Sequence, residues 1–298
     1  MWLMLSLVSA FFLGIYDVAK KQAVTGNAVF PVLFFTTFSG AMCTLPIIFV
    51  SLVNPVMARQ GHIFITPQPL SIHLLIMAKS LIVGSSWVLS YFGLKHLPLT
   101  IATPLRATAP LFTVLGAVFL FGERPTPVQW SAIILILISY FLYSKSTRKD
   151  KNTKASTVWI VFMILAAITG AISGGFDKYL LQTKSLQPLF VLSWFLLYSS
   201  ITFGVITLIF WFPQRKNSTP FSFRLSIPIV GILLVFADIA YMNALSNPLA
   251  KLALVSAIRR SNVLISFAGG VILFREGKIK NKLIPFIGII IGLILIMF

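Results

Sequence analysis

The sequence predicts an all-α polytopic membrane protein in which ten transmembrane helices form two inverted five-helix repeats. Hydrophobic residues make up 58% of the 298-residue chain and charged residues only 10%, with a mean hydropathy of +0.96. A soluble domain carries about 25% charged residues. Ten stretches approach or exceed the roughly 20 apolar residues that cross a hydrocarbon core about 30 Å thick. The two halves of the chain also repeat the same residues in the same order.

The apolar stretches cover 2–24, 30–53, 72–94, 99–121, 128–143, 158–181, 189–212, 225–245, 249–274 and 283–298. The first starts at Met1 with no basic residues ahead of its apolar core and no clean small-residue cleavage site, so it is expected to stay in the mature protein. Gly14, Asp17 and Gln22 in this first stretch recur 160 positions later as Gly174, Asp177 and Gln182 in the sixth. Tyr91, Pro98 and Leu99 recur after 150 positions as Tyr241, Pro248 and Leu249. Arg106, Gly116, Phe121 and Glu123 of the fourth stretch and its end recur after 153 positions as Arg259, Gly269, Phe274 and Glu276. Three ordered matches identify a duplicated five-helix unit. The units are 1–144 and 157–298, joined by the linker 145–156, KSTRKDKNTKAS, with five basic residues and one acidic. Because five is odd, the second copy must enter the membrane in the opposite direction. Many secondary transporters are built this way and bind substrate near the midplane between the copies.

The stretch LKHLPLTIATPLRATAPLFTVLGAVFLFGERPTPVQW, and more loosely ALSNPLAKLALVSAIRRSNVLISFAGGVILFREGKIKNKL, resemble the two EamA domains of the drug/metabolite transporter superfamily. The ten-stretch layout extends the resemblance over nearly the whole chain. The second copy departs from the closing Gly122-Glu123-Arg124 motif with Phe274-Arg275-Glu276. The resemblance implies a secondary carrier of metabolites, without a bound cofactor, in a bacterial inner membrane.

Charges inside the membrane are costly and mark function by default. Lys20, Lys21, Lys79, Lys178 and Lys251 lie within a few turns of stretch ends and are expected to snorkel to the interface. Arg106 lies about 10 Å and Arg259 about 15 Å into their stretches at 1.5 Å per residue, too deep for that to be easy. Two roles are open for the arginines: an ion pair with Asp17, Asp177 or Asp238 that locks the bundle, or a contact with cargo. Eight basic residues against three acidic ones leave positive charge over, which suits a carboxylate or phosphate held by guanidinium groups. Arg106, Arg259 and Arg260 are therefore the candidate contacts to the anionic group of an anionic or zwitterionic metabolite. On a continuous helix Arg259 and Arg260 point about 100° apart, so only one is expected to face the cavity. Pro104 and Pro110 predict a kink beside Arg106.

Lys20 and Lys21 follow Asp17 at the spacing of an intrahelical ion pair, which leaves Asp177 and Asp238 less neutralised and open to a structural or a proton-coupling role. Tyr16, Trp87, Tyr91, Phe176, Trp194 and Tyr241 sit within stretches; Tyr91 and Tyr241 recur between the copies, and with Trp87 they complete the candidate substrate set. Gly170 with Gly174 and Gly288 with Gly292 have the spacing of close helix approach, expected within the bundle of a monomer or homodimer.

Other chemistry is not indicated. His62, His73, His96 and the single Cys43 make no metal-ligand spacing, and no nucleotide loop or nucleophile elbow appears, so neither a metal site nor an enzyme is expected. The net charge of +18 points to loops facing anionic lipid, not nucleic acid. Basic residues concentrate in the odd-numbered loops, which places those loops in the cytoplasm and the termini outside. The resemblance implies the reverse. A flippase of a lipid-linked or anionic head group would use the same arginines and stands as the alternative to a metabolite carrier.

Overall fold

A computed structural model describes residues 1–61, 63–96, 109–146, 157–262, 264–266 and 283–295. The described residues form helices without strands: α1 (Trp2–Val24), α2 (Val29–Val53), a short α3 (Pro55–Gln60), α4 (Leu70–His96), α5 (Ala109–Phe121), α6 (Pro127–Ser146), α7 (Thr157–Lys178), α8 (Pro188–Ile206), α9 (Ser226–Leu245), α10 (Leu252–Arg259) and α11 (Leu283–Leu295). Single π-helical turns, Tyr179–Thr183 and Thr207–Trp211, prolong α7 and α8. Six of these helices are long and apolar enough to cross a membrane, and 111–121, 127–142 and 284–295 are shorter apolar segments. Large apolar side chains such as Phe49, Phe119, Leu120, Ile201 and Phe210 are exposed on the outer surface, where lipid replaces water as solvent.

Local chemistry sets the helix ends. Gly26 has φ +65°, a left-handed turn that lets α1 reverse into α2. Asn27 is buried and ties this turn to the second half: its Oδ1 accepts from Ser222 N at 2.9 Å and its Nδ2 donates to Ser222 O at 2.7 Å. Asn54 starts α3 by accepting from Met57 N at 3.1 Å, with Pro55 at the first helical position. The sequence had indicated only a connection there.

The main helix contacts cross between the halves: α1 with α9, α4 with α7, α2 with α8 and α9, α4 with α8, α5 with α7, α1 with α10, and α6 with α11. Exchanging each first-half helix for its second-half counterpart maps this set onto itself, since α1–α9 becomes α7–α4 and α2–α9 becomes α8–α4. Glycines permit the closest crossings. A Cβ on Gly231 would overlap the Thr36 carbonyl of α2, and a Cβ on Gly288 or Gly292 would overlap Ser139 or Ile136 of α6. Gly170 would sit 3.3 Å from Ser86 Oγ, so both spaced glycine pairs pack inside the chain.

The ninth apolar stretch is not one helix. α10 stops at Arg259, and tight bonds follow, from Arg260 N to Ala257 O (3.1 Å), Ser261 N to Ile258 O (3.0 Å) and Leu264 N to Ser261 O (2.9 Å). The Ser261 hydroxyl also donates to Ile258 O at 2.8 Å and so competes for a carbonyl that a continuous helix would use. Helical conformation resumes at Asn262. Residues 252–258 are all buried, so α10 is a half-helix enclosed by the bundle.

Candidate substrate cavity

A cavity of about 350 Å³ lies between the halves, lined by α1, α4, α7, α9 and the broken helix at α10. Its charged wall comprises Asp17, Lys20, Lys79, Asp177, Asp238, Arg259 and Arg260, with Tyr16, Trp87, Tyr140 and Tyr241 among the aromatic lining. Thus Asp17, Asp177, Asp238, Lys20, Trp87, Tyr241, Arg259 and Arg260 converge as the sequence suggests. Arg106 lies outside the described residues, as do the side chain of Tyr91 and the kink expected around Pro104 and Pro110. Phe176 and Trp194 do not line this cavity; Trp194 instead meets the edge of His73 at 4.4 Å, and His73 Nδ1 lies 3.0 Å from the Tyr198 hydroxyl.

Both arginines face the cavity, which corrects the expectation that only one would. Arg259 is the last residue of α10 and Arg260 its C-cap, still in helical conformation, and both line the cavity although they are neighbours in the chain. The carboxyl end of a helix carries partial negative charge that favours guanidinium groups there. Arg259 Nη2 donates to Asp238 Oδ1 at 2.9 Å, and its guanidinium stacks 4.0 Å over the Tyr241 ring. Its Nε is buried and makes no hydrogen bond.

The acids are arranged differently from the sequence expectation. Asp17 accepts from Asn262 Nδ2 at 2.7 Å and from Ser266 Oγ at 3.3 Å, which joins α1 to the region just past the break, and the nearby Lys20 ammonium lies over the Tyr16 ring at 5.4 Å. Asp177 and Asp238 are both neutralised, Asp238 by Arg259 and Asp177 by Lys79 at 2.6 Å. They had been read as the less neutralised pair because neither has a basic partner one turn away on its own helix. Their partners come from other helices.

Two lysines, Lys79 and Lys178, do not snorkel, and Lys251 is bonded at a helix end. Lys79 is 2% exposed, in the cavity wall, with its ammonium 4.2 Å from the Phe195 ring centre. Lys178 Nζ donates to Glu123 Oε1 at 2.6 Å. Lys251 Nζ donates to Arg124 O at 2.7 Å and Gln129 Oε1 at 3.0 Å. For Lys79 and Lys178 a buried carboxylate within reach outweighs the path to the interface. In the stretch 72–94 Lys79 lies seven residues in, about 10 Å, as deep as Arg106 in its own stretch; that count was the available signal.

Glu123 is the other residue whose role the sequence did not reveal. Gly122, at φ +62°, turns the chain so that the Glu123 carboxylate reaches the start of α10. Its Oε1 accepts from Leu252 N, and its Oε2 accepts from Ala253 N at 3.0 Å. A carboxylate at a helix amino end is stabilised by unpaired N–H groups and the helix dipole. Alongside, Gln182 Nε2 donates to the carbonyls of Leu245, Asn247 and Ala250 at 2.8, 3.1 and 3.0 Å. The result is a buried clasp joining the α5–α6 turn of the first half to α7 and α10 of the second.

Among the described residues, four basic and three acidic side chains line the cavity, a surplus of one positive charge. No three His, Cys, Asp or Glu side chains among the described residues converge to hold a metal ion.

Apolar helices enclosing a charged central cavity, with a half-helix ending inside it, define a multi-pass membrane protein of the transporter class. Residues 1–145 match the model of the EamA-like transporter family, so the first half of the chain belongs to the family that the sequence resembles. The S-adenosylmethionine uptake transporter of Rickettsia prowazekii is 27% identical over 77% of this chain and 68% of its own length. The putative ribose uptake protein RbsU of Latilactobacillus sakei is 23% identical over 73% of this chain and 74% of its own. A solved crystal structure superposes with a TM-score of 0.73 at 14% identity, covering 97% of this chain and 95% of that one, a likeness of fold. The chain is a multi-pass membrane protein whose first half is similar to EamA-like transporters, a class that in a bacterium resides in the inner membrane, and these relationships point to transport rather than catalysis.

Proposed function

We propose that the protein is a secondary carrier that moves a small zwitterionic or anionic metabolite by alternating access between two inverted five-helix halves. The observation that carries this reading is the cavity between the halves, lined by Arg259 and Arg260 at the end of a broken helix together with Asp177 and Asp238. The contact pattern, which maps onto itself when the halves are exchanged, supports the inverted repeat. A volume of about 350 Å³ lies at the small end of ligand sites. A single surplus positive charge among the described wall residues suits a zwitterion with a carboxylate better than a dianion. The Rickettsia relatives take up S-adenosylmethionine, which carries an amino-acid head; the RbsU relative is named for a neutral sugar, which makes less use of such a wall.

The halves are clasped on both faces, by the Glu123 cluster on one and by Asn27 and Arg224 on the other, where Arg224 Nη1 donates to Gln22 O at 2.7 Å and Thr25 O at 2.8 Å. Alternating access requires these clasps to open in turn.

The test is uptake of radiolabelled S-adenosylmethionine, methionine, succinate and ribose into sealed proteoliposomes. Uptake of charged, carboxylate-bearing probes that is lost in Arg259→Ala and Arg260→Ala supports the reading. Uptake of ribose alone would overturn the preference for charged cargo. No uptake of any probe, together with movement of a fluorescent anionic lipid between leaflets, would favour a flippase.

A further inference from the structure

We propose that Asp177 is the seat of the substrate's ammonium group and that Lys79 is a resident counter-cation that occupies this seat in the empty carrier and yields it on binding. The inference rests on the transport reading above. It assigns a role to a lysine that the sequence reading expects to snorkel to the membrane interface.

The argument begins with an energetic necessity. A carboxylate that receives a cationic group from the cavity would stand bare whenever the cavity is empty, and an unpaired buried charge costs several kcal/mol. The structure supplies a substitute of the same chemistry. Lys79 Nζ reaches across from α4 in the first half to within 2.6 Å of Asp177 Oδ1 on α7 in the second, with the side chains 2% and 9% exposed. This 2.6 Å ion pair is the contact that an arriving ammonium would replace.

Lysine suits a yielding role. Its ammonium is a point charge on a flexible four-carbon stem, whereas arginine makes fixed planar contacts. Lys79 also keeps a second partner when displaced, because the Phe195 ring lies 4.2 Å from its ammonium. Arg259 is held differently, bonded to Asp238 through Nη2 and stacked on Tyr241, with a buried Nε still to be satisfied. Tyr241 lies between the two pairs, with the Asp177 carboxylate beside its hydroxyl. The cavity wall thus offers guanidinium donors to a carboxylate and, across Tyr241, an exchangeable carboxylate to an ammonium.

The experiment measures binding to purified full-length protein by calorimetry at mildly alkaline pH, with three probes of one skeleton: methionine, its des-amino analogue 4-(methylthio)butanoate, and its decarboxylated analogue 3-(methylthio)propylamine. Wild type, Lys79→Met and the paired variant Lys79→Met/Asp177→Asn are compared. Removing the resident cation should raise affinity for the amine by roughly tenfold or more, the scale of one charge-assisted hydrogen bond, while leaving the des-amino carboxylate within about twofold. The paired variant should lose that gain.

Equal effects of Lys79→Met on amine and carboxylate, or no gain for the amine, would overturn the proposal and leave Lys79–Asp177 as a lock between helices. If Lys79→Met does not fold, the paired variant, which buries no unpaired charge, gives the readout: it must bind methionine more weakly than wild type while holding 4-(methylthio)butanoate, and unchanged methionine binding would refute the seat. If wild-type protein takes up no probe in liposomes, the carrier reading fails; a gain in amine binding by Lys79→Met is still measurable and reports on this site alone.

Discussion

Replacing Glu123 by Gln should cost about 3 kcal/mol of stability, a magnitude that follows from the groups it leaves behind. The carboxylate serves Leu252 N, Ala253 N and the Lys178 ammonium. Loss of a cap costs about 0.5 to 2 kcal/mol. Glutamine retains one carbonyl oxygen and stays close in shape, so the lower part of that range applies. The larger loss is the ion pair, whose side chains are 12% and 3% exposed. Breaking a buried pair by removing one partner costs about 3 to 5 kcal/mol because a charge is left uncompensated. Lys178 also has the Phe121 ring at 5.0 Å, which offsets part of this.

The assay is unfolding by SDS titration in mixed micelles, run as a double-mutant cycle with Lys178→Met. If the pair is the main contributor, the double variant should be less destabilised than the sum of the singles, with a coupling energy above about 1 kcal/mol. A Glu123→Gln cost below about 1 kcal/mol, or additive singles, would refute the view that this clasp holds the halves together.

The remaining expectations concern packing and binding. Gly231→Leu should destabilise by several kcal/mol, since even a Cβ meets the Thr36 carbonyl, whereas Gly116→Ala, with nothing within 4 Å of its Cβ, should be tolerated or gain up to about 1 kcal/mol of helix propensity; thermal unfolding of both separates close approach from mere glycine content. Gln182→Met should cost about 1 to 3 kcal/mol by stripping the donor shared by three carbonyls ahead of α10, read by the same titration. Arg259→Lys should weaken carboxylate binding by roughly tenfold, because an ammonium cannot both bond Asp238 and present a planar edge to cargo; an unchanged calorimetric affinity would remove Arg259 from the binding site.

How far the sequence could be read depended on the range of the interaction. Apolar length fixes where a chain can cross lipid, so the stretch 2–24 coincides with α1 and 30–53 differs from α2 by one residue. The convergence of Asp17, Asp177, Asp238, Tyr241 and Arg259 was legible because each is a polar group deep in an apolar run, and such groups must face one another or a cavity. The break after Arg259 was not, for no proline or glycine marks it; the Ser261 hydroxyl bonds back to the Ile258 carbonyl there, a contact that a serine can also make in an unbroken helix. Pairing was the least legible. Local spacing favoured Asp17 with Lys20 or Lys21 and gave no sign of the bond from Asn262, and Lys79 and Glu123 find their partners about 100 and 55 residues away. Charge position along a helix is written in the sequence, whereas the identity of the partner is set by packing between helices.

Asp177 and Lys178 are neighbours on α7, project about 100° apart, and each meets the opposite charge on the first half: carboxylate to Lys79, ammonium to Glu123. A slip of one residue in one direction would set the Lys178 ammonium toward Lys79, and in the other the Asp177 carboxylate toward Glu123. In a bilayer, where apolar surfaces discriminate weakly between one helix alignment and the next, such a two-charge key gives the assembling halves a means of rejecting the wrong register before the cavity between them closes.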